Sequence, residues 1–218
     1  MSTELSNQAV VIPISVGVVD CGIANLGSIL RTLGKNVHKV RVVAEPTDFE
    51  GLDRVILPGV GAFPIAMTRL ASQQLINPIK KAVLEDQIPL LGICLGMQLL
   101  ATTGKEFEET PGLNLIPGVV DLLEPQSPEF QIPHIGWNSV QIHQSVSLLE
   151  GIENDTDFYF VHSYRFNLEN QKNLIATTNH GVDFPSVIAH GKIYGTQFHP
   201  EKSSKAGLRI LRNFCEVG

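Results

Sequence analysis

Cysteine is scarce in this 218-residue chain. There are three, at 21, 94 and 215, an odd number with no Cys-x-x-Cys pair. That argues against a disulfide framework or a thiolate zinc site and fits a reducing compartment. Basic runs are absent as well: 16 Lys and Arg stand against 22 Asp and Glu, for a net charge of −6. A general nucleic-acid binder would show a basic face, so nucleic acid is not an expected partner. No apolar run approaches the roughly 18 residues a membrane helix needs. The polar stretch 1–8 lacks the basic start and apolar centre of a signal peptide. The expectation is a cytoplasmic protein with no membrane partner. There is no internal repeat, no low-complexity tract and no linker dividing two domains.

What is present suits one packed α/β unit. Hydrophobic residues make up 43% of the chain and charged residues 17%, enough to bury a core. Residues 1–15 read as an N-terminal arm and 16–218 as a single domain. Strands are expected at 16–20, 37–43 and 55–57, with a helix over 26–33 that Asn25 would cap and Gly34 would end. Helical stretches follow to about residue 85. This alternation implies a parallel sheet with right-handed crossovers, whose sites form beyond the carboxyl ends of its strands. After about residue 107 the helical period fades. Short strands are expected at 118–123, 139–143, 157–164, 174–178, 186–190 and 193–198, an antiparallel or mixed addition, before a last helix at 206–214.

The most informative stretch is Leu90-Leu91-Gly92-Ile93-Cys94-Leu95-Gly96-Met97-Gln98. It reads as a buried strand, a tight turn at Cys94 and a helix. Gly92 and Gly96 flank the cysteine where a Cβ would collide across the bend. A helix start favours a thiolate, and the residue after such an elbow can offer its N–H to an oxyanion. Taken alone, the segment leaves Cys94 open between a nucleophile and a small core hydrophobe.

Two further strings bear on that choice. Gly195-Thr196-Gln197-Phe198-His199-Pro200-Glu201-Lys202-Ser203 ends a strand with a histidine, followed two places on by a carboxylate. Such a pair supplies a base for a thiol and a group that orients it. Leu57-Pro58-Gly59-Val60-Gly61-Ala62-Phe63 is a glycine-rich turn able to bring backbone N–H groups near a ligand. It is not a phosphate loop, having no Gly-Lys-Ser/Thr ending.

Together, in this order, the three strings resemble the nucleophile, oxyanion and His-Glu motifs of class I glutamine amidotransferases. Within that family the chain is most similar to the glutaminase subunits of imidazole glycerol phosphate synthases. The similar strings are Asp20-x-Gly22-x-x-Asn25-Leu26, Leu115-Ile116-Pro117-Gly118, Pro133-His134-x-Gly136-Trp137-Asn138 and Tyr159-Phe160-Val161-His162-Ser163-Tyr164. The resemblance implies a three-layer, flavodoxin-like α/β fold with a mostly parallel central sheet and an added antiparallel or mixed region. It implies a Cys94, His199, Glu201 triad that hydrolyses L-glutamine, with an oxyanion site at Val60 and Leu95. Gly59, Gln98, Ser163 and Tyr164 would bind substrate. Ammonia would pass to a (β/α)8-barrel cyclase partner in a heterodimer, docked over Asn25, Trp137, Tyr159 and Lys202. The products would be imidazole glycerol phosphate and AICAR, in histidine biosynthesis, with low basal turnover raised by the partner. No cofactor and no metal are implied; His134 and His162 lack a second ligand at metal spacing.

Two departures stand out: Cys21 replaces an aromatic and Ala24 a glycine of the family's first turn. Cys21 puts a second thiol near the site's edge, and Cys215 is expected in the core. Alternatives are a related glutaminase serving sugar amidination in surface-polysaccharide synthesis, a catalytically idle regulatory subunit, or a cysteine peptidase on a similar sheet.

Overall fold

The computed structural model of the chain describes residues 12–22, 26–34 and 37–216. Its first half contains β1 (Ile12–Val19), α1 (Leu26–Leu33), β2 (Val37–Val43), β3 (Arg54–Gly59), α2 (Phe63–Ser72), α3 (Ile76–Leu84), β4 (Leu90–Cys94) and α4 (Leu95–Gln98). The second half is strand-rich: β5 (Thr103–Gly104), β6 (Thr110–Pro111), β7 (Gly118–Leu122), β8 (His134–Ser139), β9 (Gln141–Ile142), β10 (Asp157–His162), β11 (Tyr164–Leu168), β12 (Leu174–Asn179), β13 (Asp183–His190) and β14 (Ile193–Thr196), then α5 (Ser204–Glu216).

The central sheet runs β2-β1-β3-β4-β14-β13-β12-β9. Its pairings are parallel from β2 to β14 and antiparallel beyond. This mixed α/β sheet matches the expected architecture, with β8–β10 and β11-β7-β5-β6 as separate small sheets. Strand alternation sorts the side chains into two cores. Ile56, Leu91 and Ile93 point to the face covered by α1 and α5, through Ile29, Leu33, Ile210, Leu211 and Phe214. Val55, Leu57 and Leu90 point to the face covered by α2 and α3, through Ala66, Leu70, Ile79 and Val83. Helices on both faces are what a parallel sheet requires, because its strands are apolar on both sides.

Several boundaries differ from expectation. Asn25, expected to cap α1, and Ala24 lie outside the described residues. The strand expected from Val16 begins at Ile12. Asp53 holds the early part in place, its carboxylate accepting the Ser15 N–H at 2.7 Å. The strand expected over 157–164 breaks at Ser163, where the chain changes partner from β8 to β7. The strand expected over 139–143 starts earlier and is divided between β8 and β9.

Candidate active site

Three adjacent parallel strands converge on one spot. Gly59 at the end of β3 is in register with Cys94 at the end of β4, and Thr196 of β14 with Ile93. The carboxyl ends of β3, β4 and β14 therefore carry Gly59-Val60, Cys94 and the loop bearing His199 to one edge of the sheet.

Cys94 has φ +54° and ψ −110°, a conformation that L side chains rarely adopt. The glycines beside it make the bend feasible. A Cβ on Gly92 would lie 2.6 Å from the Gly96 carbonyl oxygen, and one on Gly96 would lie 1.7 Å from that of Leu57. Helix α4 spans only four residues, shorter than expected. The carbonyls of Leu99, Leu100 and Ala101 instead accept N–H groups from Leu113, Asn114, Leu115 and Ile116. So short a helix has little macrodipole to stabilise negative charge at its start.

His199 Nδ1 and Glu201 Oε1 are 2.8 Å apart, and each side chain is 3% exposed. Burial opposes charge on the imidazole. Contact with the Cys94 sulfur and with the Glu201 carboxylate outweighs it and raises the pKa to about 9. Nε2 is buried and makes no hydrogen bond. No hydrogen bond joins that nitrogen to the Cys94 sulfur. Apo enzymes often show such loose geometry, which tightens around substrate. The Cys94 thiol reaches the Val161 carbonyl at 3.7 Å and accepts from Gln197 Nε2 at 3.7 Å. The His199 turn is fastened to β10: His199 N–H donates to Tyr159 O at 2.9 Å, the Ser203 hydroxyl donates to His199 O at 2.7 Å, and Tyr159 N–H donates to that hydroxyl at 2.9 Å.

A cleft of about 390 Å³ opens over the sulfur, lined among others by Val60, Cys94, Leu95, Gln98, Ser163 and Tyr164. Leu95 starts α4, so its N–H has no intrahelical partner. Gln98 Nε2 donates to Tyr164 O at 3.0 Å and to Gln197 Oε1 at 3.1 Å, which leaves its carbonyl for a ligand. Gly59 does not line this cleft. It packs on Leu95 and Gly96, bordering a small recess beside His199 and Glu201. Glu106, which sequence reasoning missed, lines the cleft and accepts the Phe63 N–H at 2.7 Å. Burial raises its pKa, against the lowering effect of that hydrogen bond. Its only signal was the acidic run Glu106, Glu108, Glu109. Gln197 was missed too, although it lies two residues before His199 in the same string.

Of the residues expected at a partner face, Asn25 lies outside the described residues. The other three adjoin. Tyr159 pairs across strands with Trp137, their rings 6.1 Å apart, and Lys202 Nζ sits 5.7 Å from the Tyr159 ring centroid. Trp137 is 53% exposed and Ile135, on the same face of β8, 59%. Cys21 is buried in the core beside α2 rather than standing open at the site's edge. Cys215 is buried, and desolvation pushes its thiol up to about 12. Among the described residues no cluster of three His, Cys, Asp or Glu side chains could hold a metal. None of the described helices is long and apolar enough to cross a membrane.

Fold and site together mark an amidotransferase, and the chain belongs to the class-I glutamine amidotransferase family, whose profile matches residues 17–217. Relatives bearing the name imidazole glycerol phosphate synthase subunit HisH narrow the comparison. The one from Moorella thermoacetica is 42% identical over 202 residues, covering 93% of this chain and 94% of its own. A Methanococcus maripaludis protein named as HisH 1 is 40% identical over 206 residues, covering 93% and 99%. Solved structures share the fold. One described as a glutamine amidotransferase gives a TM-score of 0.72 at 20% identity, covering 92% of this chain and 97% of that one. A glutamine amidotransferase from Thermotoga maritima gives 0.61 at 20% identity, covering 93% and 83%.

Proposed function

We infer that residues 16–218 form a single glutaminase domain, which hydrolyses L-glutamine and passes ammonia to a (β/α)8-barrel cyclase in a cytoplasmic heterodimer. The cyclase would use it to form imidazole glycerol phosphate and AICAR in histidine biosynthesis. The observation that carries the reading is Cys94 on a strained elbow beside the buried His199–Glu201 pair. The HisH relatives, similar over nearly the whole chain, support the choice of acceptor.

His199 takes the Cys94 proton, and the sulfur attacks the side-chain amide carbon of glutamine. The carbonyl electron pair moves to oxygen, where the Val60 and Leu95 N–H groups hold the charge; one such donor is worth about a hundred- to a thousandfold in rate. When the carbonyl re-forms, the C–N bond breaks, His199 returns the proton to nitrogen, and ammonia and a glutamyl thioester result. A water that His199 deprotonates then attacks the thioester. The C–S bond breaks, the thiol regains its proton, and glutamate leaves. Glu201 keeps the imidazole oriented throughout. Gln98, Ser163 and Tyr164 hold the amino-acid end of the substrate, with Glu106 facing its ammonium, and Gly59 sets the backbone that leads to Val60. Trp137, Tyr159, Lys202 and Asn25 form the docking face.

Replacing Cys94 by serine tests this. Glutamine-driven turnover by the complex should vanish while added ammonium still supports the cyclase. A Cys94→Ser complex with full glutamine-driven turnover would overturn the assignment.

A further inference from the structure

Two buried histidines outside the triad, His134 and His162, make a chain whose proton positions are set from both ends. At one end, His162 Nδ1 lies 2.9 Å from the Tyr164 carbonyl oxygen. A carbonyl only accepts, so that nitrogen carries the hydrogen. At the other end, Asn138 has a fixed amide orientation: Oδ1 accepts the Ser139 N–H at 2.9 Å and Nδ2 donates to Asn179 O at 2.9 Å. Nδ2 also lies 3.2 Å from His134 Nε2, which must therefore accept, placing the His134 hydrogen on Nδ1. The two deductions meet at the 3.1 Å contact between His134 Nδ1 and His162 Nε2, and they agree: a donor faces an acceptor.

The chain continues into the cleft. The Tyr164 carbonyl that takes the His162 hydrogen also takes one from Gln98 Nε2, and Gln98 reaches Gln197, which reaches the Cys94 sulfur. His162 itself lines the cleft. The arrangement holds only if both rings are neutral, since a second hydrogen on either would set two donors face to face. Burial first, and the neighbouring histidines second, hold His134 down to about 3; desolvation holds His162 near 4 despite its bond to Tyr164. His134 is packed on both sides, stacked on His180 at 4.1 Å and on Phe160 at 5.0 Å.

We propose that His134 and His162 are positioning residues for glutamine hydrolysis: a neutral pair, each protonated on Nδ1, that fixes the Tyr164 carbonyl and the Gln98 amide in the substrate cleft. This rests on the glutaminase reading above, with the test arranged to separate the two. Long-range 15N–1H spectra of the chain at pH 7 should show both rings with hydrogen on Nδ1. An Nε2–H tautomer or an imidazolium at either would overturn the chain.

Kinetics of the complex with its cyclase give a second readout. His134→Phe keeps the stacking and removes the donor to His162. The glutamine KM should rise about tenfold, because one buried nitrogen loses its partner, with kcat changed less. His134→Asn, whose amide nitrogen falls where Nδ1 stood, should restore most of that loss. An unchanged KM in folded His134→Phe, or an equal loss in both variants, would overturn the proposal. Should His134→Phe fail to fold, the tautomers still decide. If the wild-type complex hydrolyses glutamine and Cys94→Ser does not, a failure here counts against the histidine pair alone. If the wild type hydrolyses none, the glutaminase reading fails first.

Discussion

Gly96 lies against Leu57 so closely that a Cβ on the glycine would stand 1.7 Å from the Leu57 carbonyl oxygen. Leu57 is fully buried and sits in β3, paired with β1 on one side and β4 on the other, so it cannot retreat. Gly96→Ala should therefore cost about 3 kcal/mol or more, at the upper end for overpacking, and displace the Cys94 elbow. Gly51→Ala is the contrast. Gly51 has φ +66° with nothing near its missing Cβ, so it should lose only about 1 kcal/mol of conformational preference. Urea unfolding midpoints compare the two, and equal losses would show that close packing at Gly96 is not what demands glycine.

The His199–Glu201 pair makes stability depend on pH with a definite sign. The folded imidazole titrates near 9, above its ordinary 6.5. Its contribution is thus complete below pH 6.5 and is lost as pH rises through 9. Glu201→Gln removes one of the groups holding the pKa up, so its urea midpoint should fall less steeply from pH 6.5 to 9 than that of the wild type. Parallel slopes would mean that Glu201 does not stabilise the charged ring.

Much of the site was legible because local chemistry demands it. An elbow needs small residues at 92 and 96, so the bend at Cys94 could be read from its own string, while the link from Cys94 to His199 and Glu201 came from the order of the strings and the family resemblance. The parallel strands were legible too, from the valine-rich stretch at 37–43 and the apolar run at 55–57 in alternation with helices. What escaped was set by tertiary pairing. α4 is cut to one turn by hydrogen bonds from residues 113–116, about fifteen positions away. Glu106 comes from the loop between two-residue strands, with no period to reveal it. His134 and His162 meet only because β8 and β10 pair antiparallel in the register that places them opposite each other.

The exposed Trp137, stacked edgewise on Tyr159, predicts where a cyclase would dock. A large aromatic half in water on a short two-stranded sheet has little to contribute to the fold. Trp137→Ala should leave the melting temperature within a degree or two, and weaken binding to the proposed cyclase partner by about tenfold or more, as for an anchor residue. Titration calorimetry with the partner reads this directly. Unchanged affinity would move the docking face elsewhere.

Glu106 gives the sharpest test of how substrate is held. One carboxylate oxygen accepts the Phe63 N–H at the start of α2, and the side chain lines the cleft beside Tyr164. A free amino acid in that cleft carries an ammonium, for which a half-buried carboxylate is the natural partner. Glu106→Gln keeps an oxygen for Phe63 and removes only the charge. Stability should hold, while the glutamine KM rises about tenfold or more, the scale of a lost charged hydrogen bond. kcat should change little, since Cys94 and His199 are untouched. Because burial raises the Glu106 pKa, the wild-type KM should begin to climb on acidification at a higher pH than an ordinary glutamate would dictate. Glu106→Gln should lack that climb. An unchanged KM, or a loss confined to kcat, would show that the ammonium of glutamine is bound by other groups.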